Sequence, residues 1–294
     1  MPGTLFLVGT PIGNLGDITL RALETLRGVQ QIAAEDTRRT RGLLTHFEIS
    51  GKTLHSLDAH ASPHKLAGVL ALLENGQDVA LVTDAGMPSI SDPGTALVRL
   101  AVERGVTVSA IPGPSALTAA VAASGLVDAS FAFLGFLPRQ GQKRRAALER
   151  VAHGSDPTVL FESPQRLQKT LRELAELAPE RAAAICRELS KLHEEIRRGT
   201  LSELALLEHE WRGEITLVVA GGSAQDAEVE TNSAELEAQI ATRLNQGASV
   251  KTVVAELAPT VTLARRELYA VVQQLHEARD ESASSSSPEP SESE

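Results

Sequence analysis

Between Thr4 and Pro112 the chain alternates four short β-type runs with four helical patterns, and that order leaves few folds open. "LFLV" precedes a helical stretch from Asp17 to Leu26, "QIAA" precedes Thr37 to Phe47, "DVALV" precedes Gly94 to Glu103, and "VTVSAI" precedes Ser115 to Ala123. Strand, helix, strand, helix at this spacing predicts a parallel sheet with helices on its faces. A second α/β region starts near Phe131 with "FAFLGF", a basic loop and a helix to Ala152. It continues through "TVLFES", a helix from Pro164 to Leu177, "AAAICREL" and "GEITLVVAGG". From Ala234 three helical patterns, broken at Asn245-Gln246-Gly247 and Ala258-Pro259, predict a compact helical module. The end, "ESASSSSPEPSESE", is too polar to pack and is expected to be disordered. The fold class is therefore α/β, with domains at 1–125 and 126–226, a helical module at 234–278 and an acidic tail at 280–294.

Composition narrows the function. With 294 residues, 42% hydrophobic and 22% charged, the chain resembles an ordinary soluble protein. No basic leader precedes the apolar start of "MPGTLFLVG", so neither a signal peptide nor a membrane partner is expected and the location reads as cytoplasmic. Cys186 is the only cysteine, which excludes an internal disulfide and any CxxC metal site. His55, His60 and His64 are spaced as in a Ser/Pro-broken loop, and no metal is expected. The net charge is −10, but Asp280, Glu281, Glu289, Glu292 and Glu294 supply half of it in the tail. Positive charge is clustered instead, in "TRRTR", "RQGQKRR" and the pair Arg265 and Arg266, and local patches decide partners more than the total does.

Three apolar runs of the first region end in the same kind of loop: "GTPIGN", "TDAGMPSISDPG" and "PGPSA". Ligands of open parallel sheets bind at the carboxyl ends of strands, so the three loops converge on one site. None carries GxGxxG or a GK[ST] phosphate loop. Gly and Pro bring rigid backbone close to a ligand and Asp84 and Asp92 add acceptor capacity, a lining suited to a cationic ligand with hydroxyls and a purine such as S-adenosylmethionine. On turn chemistry alone Asp84 reads equally as an Asx-turn residue, and Asp92, before Pro93 and Gly94, reads as a helix N-cap.

The strings "GTPIGNLGDITLRALETL", "IAAEDTR", "PGPSA", "GFLPR", "FESPQR", "RELSKLHEEIRRGTLSEL" and "GEITLVV", with the "DAG" and "DPG" of the second loop, stand in an order that resembles the tetrapyrrole-methylase superfamily. The resemblance runs from Thr4 to about Gln274, closest to the branch that methylates the ribose 2′-oxygen of a decoding-region cytidine in 16S ribosomal RNA. It implies two α/β domains with a methyl-donor cleft between them, a homodimer, and S-adenosylmethionine as cofactor. It implies as well that the partner is 16S rRNA or the assembled small ribosomal subunit. By position, Pro11, Ile12, Gly86, Met87, Ile90, Ser115 and Ala116 are expected to line the donor pocket, with Asp84 and Phe161 added from their places at strand ends.

A ribose hydroxyl needs in-line placement and a base. Asp36, Glu162, and Lys191 or Glu188 stand near predicted strand ends, each acid reading also as a salt-bridge partner of a neighbouring arginine; Asp36 and Lys191 are taken as the catalytic pair, the lysine on the expectation that burial beside arginines promotes loss of its proton. Arg38, Arg39 and Arg41, the run Arg139, Lys143, Arg144 and Arg145, and Arg166 and Arg187 lie on several loops and suit RNA phosphate contacts. Arg197 and Arg198 read as a solvated face. Lys251, Arg265 and Arg266 sit in a helix, turn, helix pattern that by itself reads equally as a dimerisation bundle; the resemblance implies an RNA-contacting extension. Two rivals stay open: a methylase of small tetrapyrroles, which the arginine clusters disfavour, and a non-catalytic ribosome-assembly RNA-binding protein.

Overall fold

The computed structural model describes residues 1–58, 61–90, 94–222, 236–258 and 265–284. Met1–Gly222 is one compact unit that holds two five-stranded sheets. The first sheet has strands β1 (Thr4–Val8), β2 (Gln31–Ala34), β3 (Thr53–Ser56), β4 (Val79–Val82) and β5 (Thr107–Ile111), all parallel, in the order β3-β2-β4-β1-β5. Helices α1 (Leu20–Gly28) and α2 (Thr37–His46) cover one face, α3 (Pro63–Glu74) and α4 (Thr95–Glu103) the other. Burial on both faces explains the unbroken apolar run of β4: Ala80 and Val82 enter the core under α1 and α2, Val79 and Leu81 the core under α3 and α4.

The segment read as a loop around the three histidines is instead β3, which holds His55, and α3, which holds His64; His60 lies outside the described residues. A four-residue strand is too short to show alternation. The signal for α3 was present in Ser62, whose side chain accepts from Lys65 N, and in Pro63 at the first helical turn.

The second sheet contains β6 (Ala132–Phe136), β7 (Thr158–Glu162), β8 (Ala182–Arg187), β9 (Glu195–Thr200) and β10 (Ile215–Val219), in the order β6-β7-β10-β8-β9. Only β6 and β7 are parallel; β10 runs antiparallel to β7 and β8, and β9 antiparallel to β8. Leu160, Ile185 and Leu217 face a core built with α6 (Gln142–His153), α7 (Pro164–Leu177) and α8 (Leu201–Ala205). Val159, Ala184, Cys186 and Val218 face α5 (Ala116–Ser124). That helix leaves the first sheet at β5 and packs on the second, and its small apolar sequence "ALTAAVAAS" allows the close approach.

Arg197 and Arg198, expected on a solvated face, lie on β9 and make internal contacts. Arg197 pairs with Glu195 and stands over the Trp211 ring at 5.9 Å, while Arg198 donates to the carbonyls of Ala123 and Ser124 at the end of α5. The unfilled carbonyls of a helix C-terminus are good partners for a guanidinium.

In the second unit a helix at 236–245 (α9), α10 (Val250–Leu257) and α11 (Arg265–Ser284) form a core from Ile240, Leu244, Val253, Val254, Leu257, Leu268 and Val272. Residues 280–284, expected in the unstructured tail, are thus helical; 285–294 lie outside the described residues. No helix among the described residues is long and apolar enough to cross a membrane.

Candidate active site

The three Gly/Pro loops of the first sheet are tied to one another. Thr10 and Gly86 exchange backbone hydrogen bonds of 2.9 and 3.1 Å, and Thr10 Oγ1 donates to Thr83 O at 3.1 Å, which joins the loop after β1 to the loop after β4. Gly9 N donates to Ile111 O at 3.1 Å, and a Cβ on Gly9 would stand 2.7 Å from Gly113 Cα, which joins the loop after β1 to the loop after β5. Gly86 has φ +85°, a left-handed conformation that glycine adopts without strain. Because backbone cannot yield as a flexible side chain does, Gly9→Ala is expected to cost about 1–3 kcal/mol of stability. The midpoint of urea unfolding checks it.

These loops and the facing strand ends of the second sheet enclose a cavity of about 410 Å³. Of the expected donor residues, Ile12, Asp84, Gly86, Met87, Ile90, Ser115, Ala116 and Phe161 line it; Pro11 is buried beside them and does not. Ala85, inside the expected donor stretch, and Glu162, weighed beforehand as a base, line it too, and the wall also includes residues that sequence reasoning did not place there: Glu35, Thr83, Phe136, Ser163, Pro164, Cys186, Leu189 and the segment Gly213–Thr216. The last segment was missed for a topological reason. β10 runs antiparallel, so its amino end lies beside the carboxyl ends of β7 and β8, where a rule written for parallel sheets does not look. Cys186 is a neutral thiol there, pushed up to about 11 by burial.

Four of the described acidic residues line the cavity, Glu35, Asp84, Glu162 and Glu214, and the first two lie together at the end of the first sheet. Glu35 Oε2 accepts from Thr83 Oγ1 at 2.7 Å and from Asp84 N at 3.3 Å. Asp84 Oδ1 accepts from Asp36 N at 3.1 Å, and Oδ2 lies 3.5 Å from an Arg39 nitrogen. Burial, and next the charge of Glu35, push the Asp84 carboxyl above the ordinary aspartate range; Arg39 and the Asp36 amide pull the other way without cancelling this.

Asp36 and Lys191, expected as the catalytic pair, do not line the cavity. Asp36 caps α2 by accepting from Arg38 N, and the Arg38 side chain, then its amide, hold the carboxyl well below the usual carboxylate range. So weak a base accepts protons poorly. Lys191 stands between carboxylates and not beside arginines: its Nζ is 2.8 Å from Glu188 and 3.0 Å from Glu214. Burial alone would lower its pKa, but the bonds to these two acids outweigh it and hold the ammonium charged. Its stem packs on Gly13, leaving no room there for a side chain.

The expected RNA contacts divide. Arg38, Arg39, Arg41, Arg139, Lys143 and Arg145 are exposed, although Arg38 also pairs with Asp36 and Arg145 with Glu149. Arg144 is a correction: it is 4% exposed, pairs with Glu173 and donates to Thr170 Oγ1 at 3.0 Å and Pro138 O at 3.2 Å. The period of α6 turns it inward while its neighbours face water. Arg166 and Arg187 are partly buried and paired with Glu162 and Glu195, which leaves them less free for phosphate than expected. Lys251 is exposed on α10; the side chains of Arg265 and Arg266, and Asp92, lie outside the described residues. Among the described residues no cluster of His, Cys, Asp and Glu is built to hold a metal.

Residues 4–205 match the family of Tetrapyrrole (Corrin/Porphyrin) Methylases. The chain belongs to that family. As a tetrapyrrole methylase it is a methyltransferase, and relatives extend the match beyond residue 205. A protein of Streptococcus pyogenes serotype M3 named Ribosomal RNA small subunit methyltransferase I is 42% identical over 278 residues, covering 94% of this chain and 95% of its own. The Thermotoga maritima protein of the same name is 50% identical over 222 residues, covering 74% and 99%. Among solved structures, the methyltransferase CobJ aligns with a TM-score of 0.58 at 19% identity, over 75% of this tetrapyrrole methylase and 95% of CobJ. Uroporphyrin-III C-methyl transferase from Thermus thermophilus, solved with S-adenyl homocysteine, aligns at 0.55 and 19% over 74% and 97%. Both likenesses concern the fold.

Proposed function

We propose that this tetrapyrrole methylase transfers a methyl group from S-adenosylmethionine to the ribose 2′-oxygen of a decoding-region cytidine, cytidine 1402, of 16S ribosomal RNA. The observation that carries the reading is one cavity lined by apolar side chains with the adjacent carboxylates of Glu35 and Asp84 on its first-sheet side, in a chain whose relatives are named for ribosomal RNA methylation. A cavity of this size is within the usual range for small-molecule sites. Glu35 and Asp84 suit a cationic donor, and the backbone of Gly86 and Ser115 offers polar groups without bulk. Ile12, Met87 and Ile90 supply apolar surface for a flat ring.

When bound, S-adenosylmethionine supplies an electrophilic methyl group on a sulfonium. The chain supplies position and a proton acceptor. Asp84, expected beforehand among the donor contacts, is assigned here as that acceptor: a carboxylate oxygen takes the 2′-hydroxyl proton as the oxygen–methyl bond forms and the sulfur–methyl bond breaks. Glu35 raises the basicity of Asp84, and the Asp36 amide and Arg39 orient it. Exposed Arg38, Arg39, Arg41, Arg139 and Lys143 are assigned to RNA phosphates, with the homodimer that the resemblance implies and the cytoplasmic location read from the sequence.

The test is incubation of the purified protein with labelled S-adenosylmethionine and, separately, naked 16S rRNA, small subunits and total tRNA. Label on a single ribose of 16S RNA, in either form, is the expected result. Label on tRNA alone, or on nothing, overturns the proposal.

A further inference from the structure

The chain is poor in aromatic residues, 3% of the total with six phenylalanines, yet three of them meet at the candidate active site. Phe161 is packed edge-on by Phe133 at 5.0 Å between ring centroids and, tilted by 57°, by Phe136 at 5.8 Å. Phe133 and Phe136 are three apart on one strand, a spacing that normally sends side chains to opposite faces. A bulge reverses this. The register of β6 against β7 shifts between Phe133 and Gly135, Gly135 takes φ +61°, and Phe136 returns to the side of Phe161. Bulges beside active sites commonly re-aim a side chain in this way.

The re-aimed ring is not buried. Phe136 is 56% exposed while lining the cavity, unlike Phe133 and Phe161, which are half-buried. With more than half of its surface open beside the cavity, the ring has room for a planar partner. The chain that continues from it carries exposed Arg139, about 11 Å of backbone away at most, and then exposed Lys143. An open aromatic ring followed by cations is the arrangement that binds unstacked nucleotides of RNA, the ring stacking on a base and the cations meeting phosphates.

We propose that Phe136 is the stacking platform for the base of the acceptor nucleotide, which enters the cavity mouth splayed out from its neighbours. The inference rests on the RNA-methylating reading above and adds to it the residue that holds the base. Stacking places the ribose against the cavity, where Glu35 and Asp84 lie together at the end of the first sheet. Because any base has a flat face, Phe136 contributes position and affinity; selection among bases falls to other groups.

The experiment uses the full chain and the variants Phe136→Ala and Phe136→Trp. Methyl transfer to small subunits, calorimetry with S-adenosylhomocysteine and tryptophan fluorescence on RNA addition are the readouts. Phe136→Ala is expected to lower kcat/KM for RNA by about 5- to 150-fold, the range of one lost base stack, with donor affinity unchanged within about twofold. Phe136→Trp is expected to keep activity and to be quenched by RNA beyond the signal of the buried Trp211, the only native tryptophan. Wild-type kcat/KM in Phe136→Ala overturns the proposal, as does a tenfold loss of donor affinity, which would place the donor's adenine on the ring. A wild-type protein that methylates no RNA sinks the functional reading itself and this inference with it. An active wild type with an unaffected alanine variant sinks only the role of Phe136.

Discussion

Replacing Asp84 by Asn is expected to lower the rate of methyl transfer to RNA by about 10²- to 10⁴-fold, the range in which positioned acid–base groups contribute. The substitution keeps the shape and the bond from the Asp36 amide but removes the acceptor. Donor affinity, read by calorimetry, is expected to stay within about threefold, because Glu35 remains on the same wall. The pH profile carries a second signature. Burial and Glu35 favour the protonated form of Asp84, and only the ionised form accepts a proton. Activity is therefore expected to fall away on the acid side at a pH above 3.8, the ordinary aspartate value. Glu35→Gln removes the neighbouring charge, so the acid limb is expected to move to lower pH. A rate in Asp84→Asn above about a tenth of wild type would show that the base lies elsewhere.

The second large effect is on stability. Arg144→Ala is expected to cost about 1–3 kcal/mol, the usual loss when a buried side chain is removed and the groups it bonded are left without that partner. Glu173, partly exposed, would keep Lys169 at 3.7 Å but lose the guanidinium, and Thr170 and the Pro138 carbonyl would each lose a donor. The consequence reaches the cavity, because Thr170 Oγ1 donates to Glu162 Oε2 at 2.7 Å while Glu162 Oε1 accepts from Ser163 N at 2.8 Å. That bond shapes the turn from β7 to α7, which carries Phe161, Ser163 and Pro164 on the cavity wall. Urea unfolding measures the loss, and a cost below about 1 kcal/mol would contradict the buried role. Arg139→Ala and Lys143→Ala, both at exposed positions, are expected to leave stability nearly unchanged and to reduce the salt dependence of RNA binding.

Arg144 illustrates what a basic run conceals. In "RQGQKRR" four cations look alike, yet a helix turns about 100° per residue, so α6 sends one inward and its neighbours outward. The facing partner, Glu173, lies 29 residues away on α7, and no local pattern announces it. Lys191 teaches the same lesson: arginine neighbours in sequence suggested a lowered pKa, whereas Glu214, from across the sheet, and Glu188 hold its charge. By contrast, eight of the nine expected donor-site residues reached the cavity, because strand ends of a parallel sheet share one edge whatever the details of packing.

Sequence alone determined the elements of the first sheet that carry loops, since short unbroken apolar runs and Gly/Pro punctuation are local signals tied to backbone geometry. It also marked the loops after β1, β4 and β5 as one site. Only the tertiary structure decided which charged groups face that site. Burial, the antiparallel insertion of β10, the bulge that re-aims Phe136 and the pairing of Arg144 with Glu173 all depend on chain segments remote in sequence. Side-chain charge and direction are set by such neighbours, because the energies of desolvation and ion pairing act through space and not along the chain.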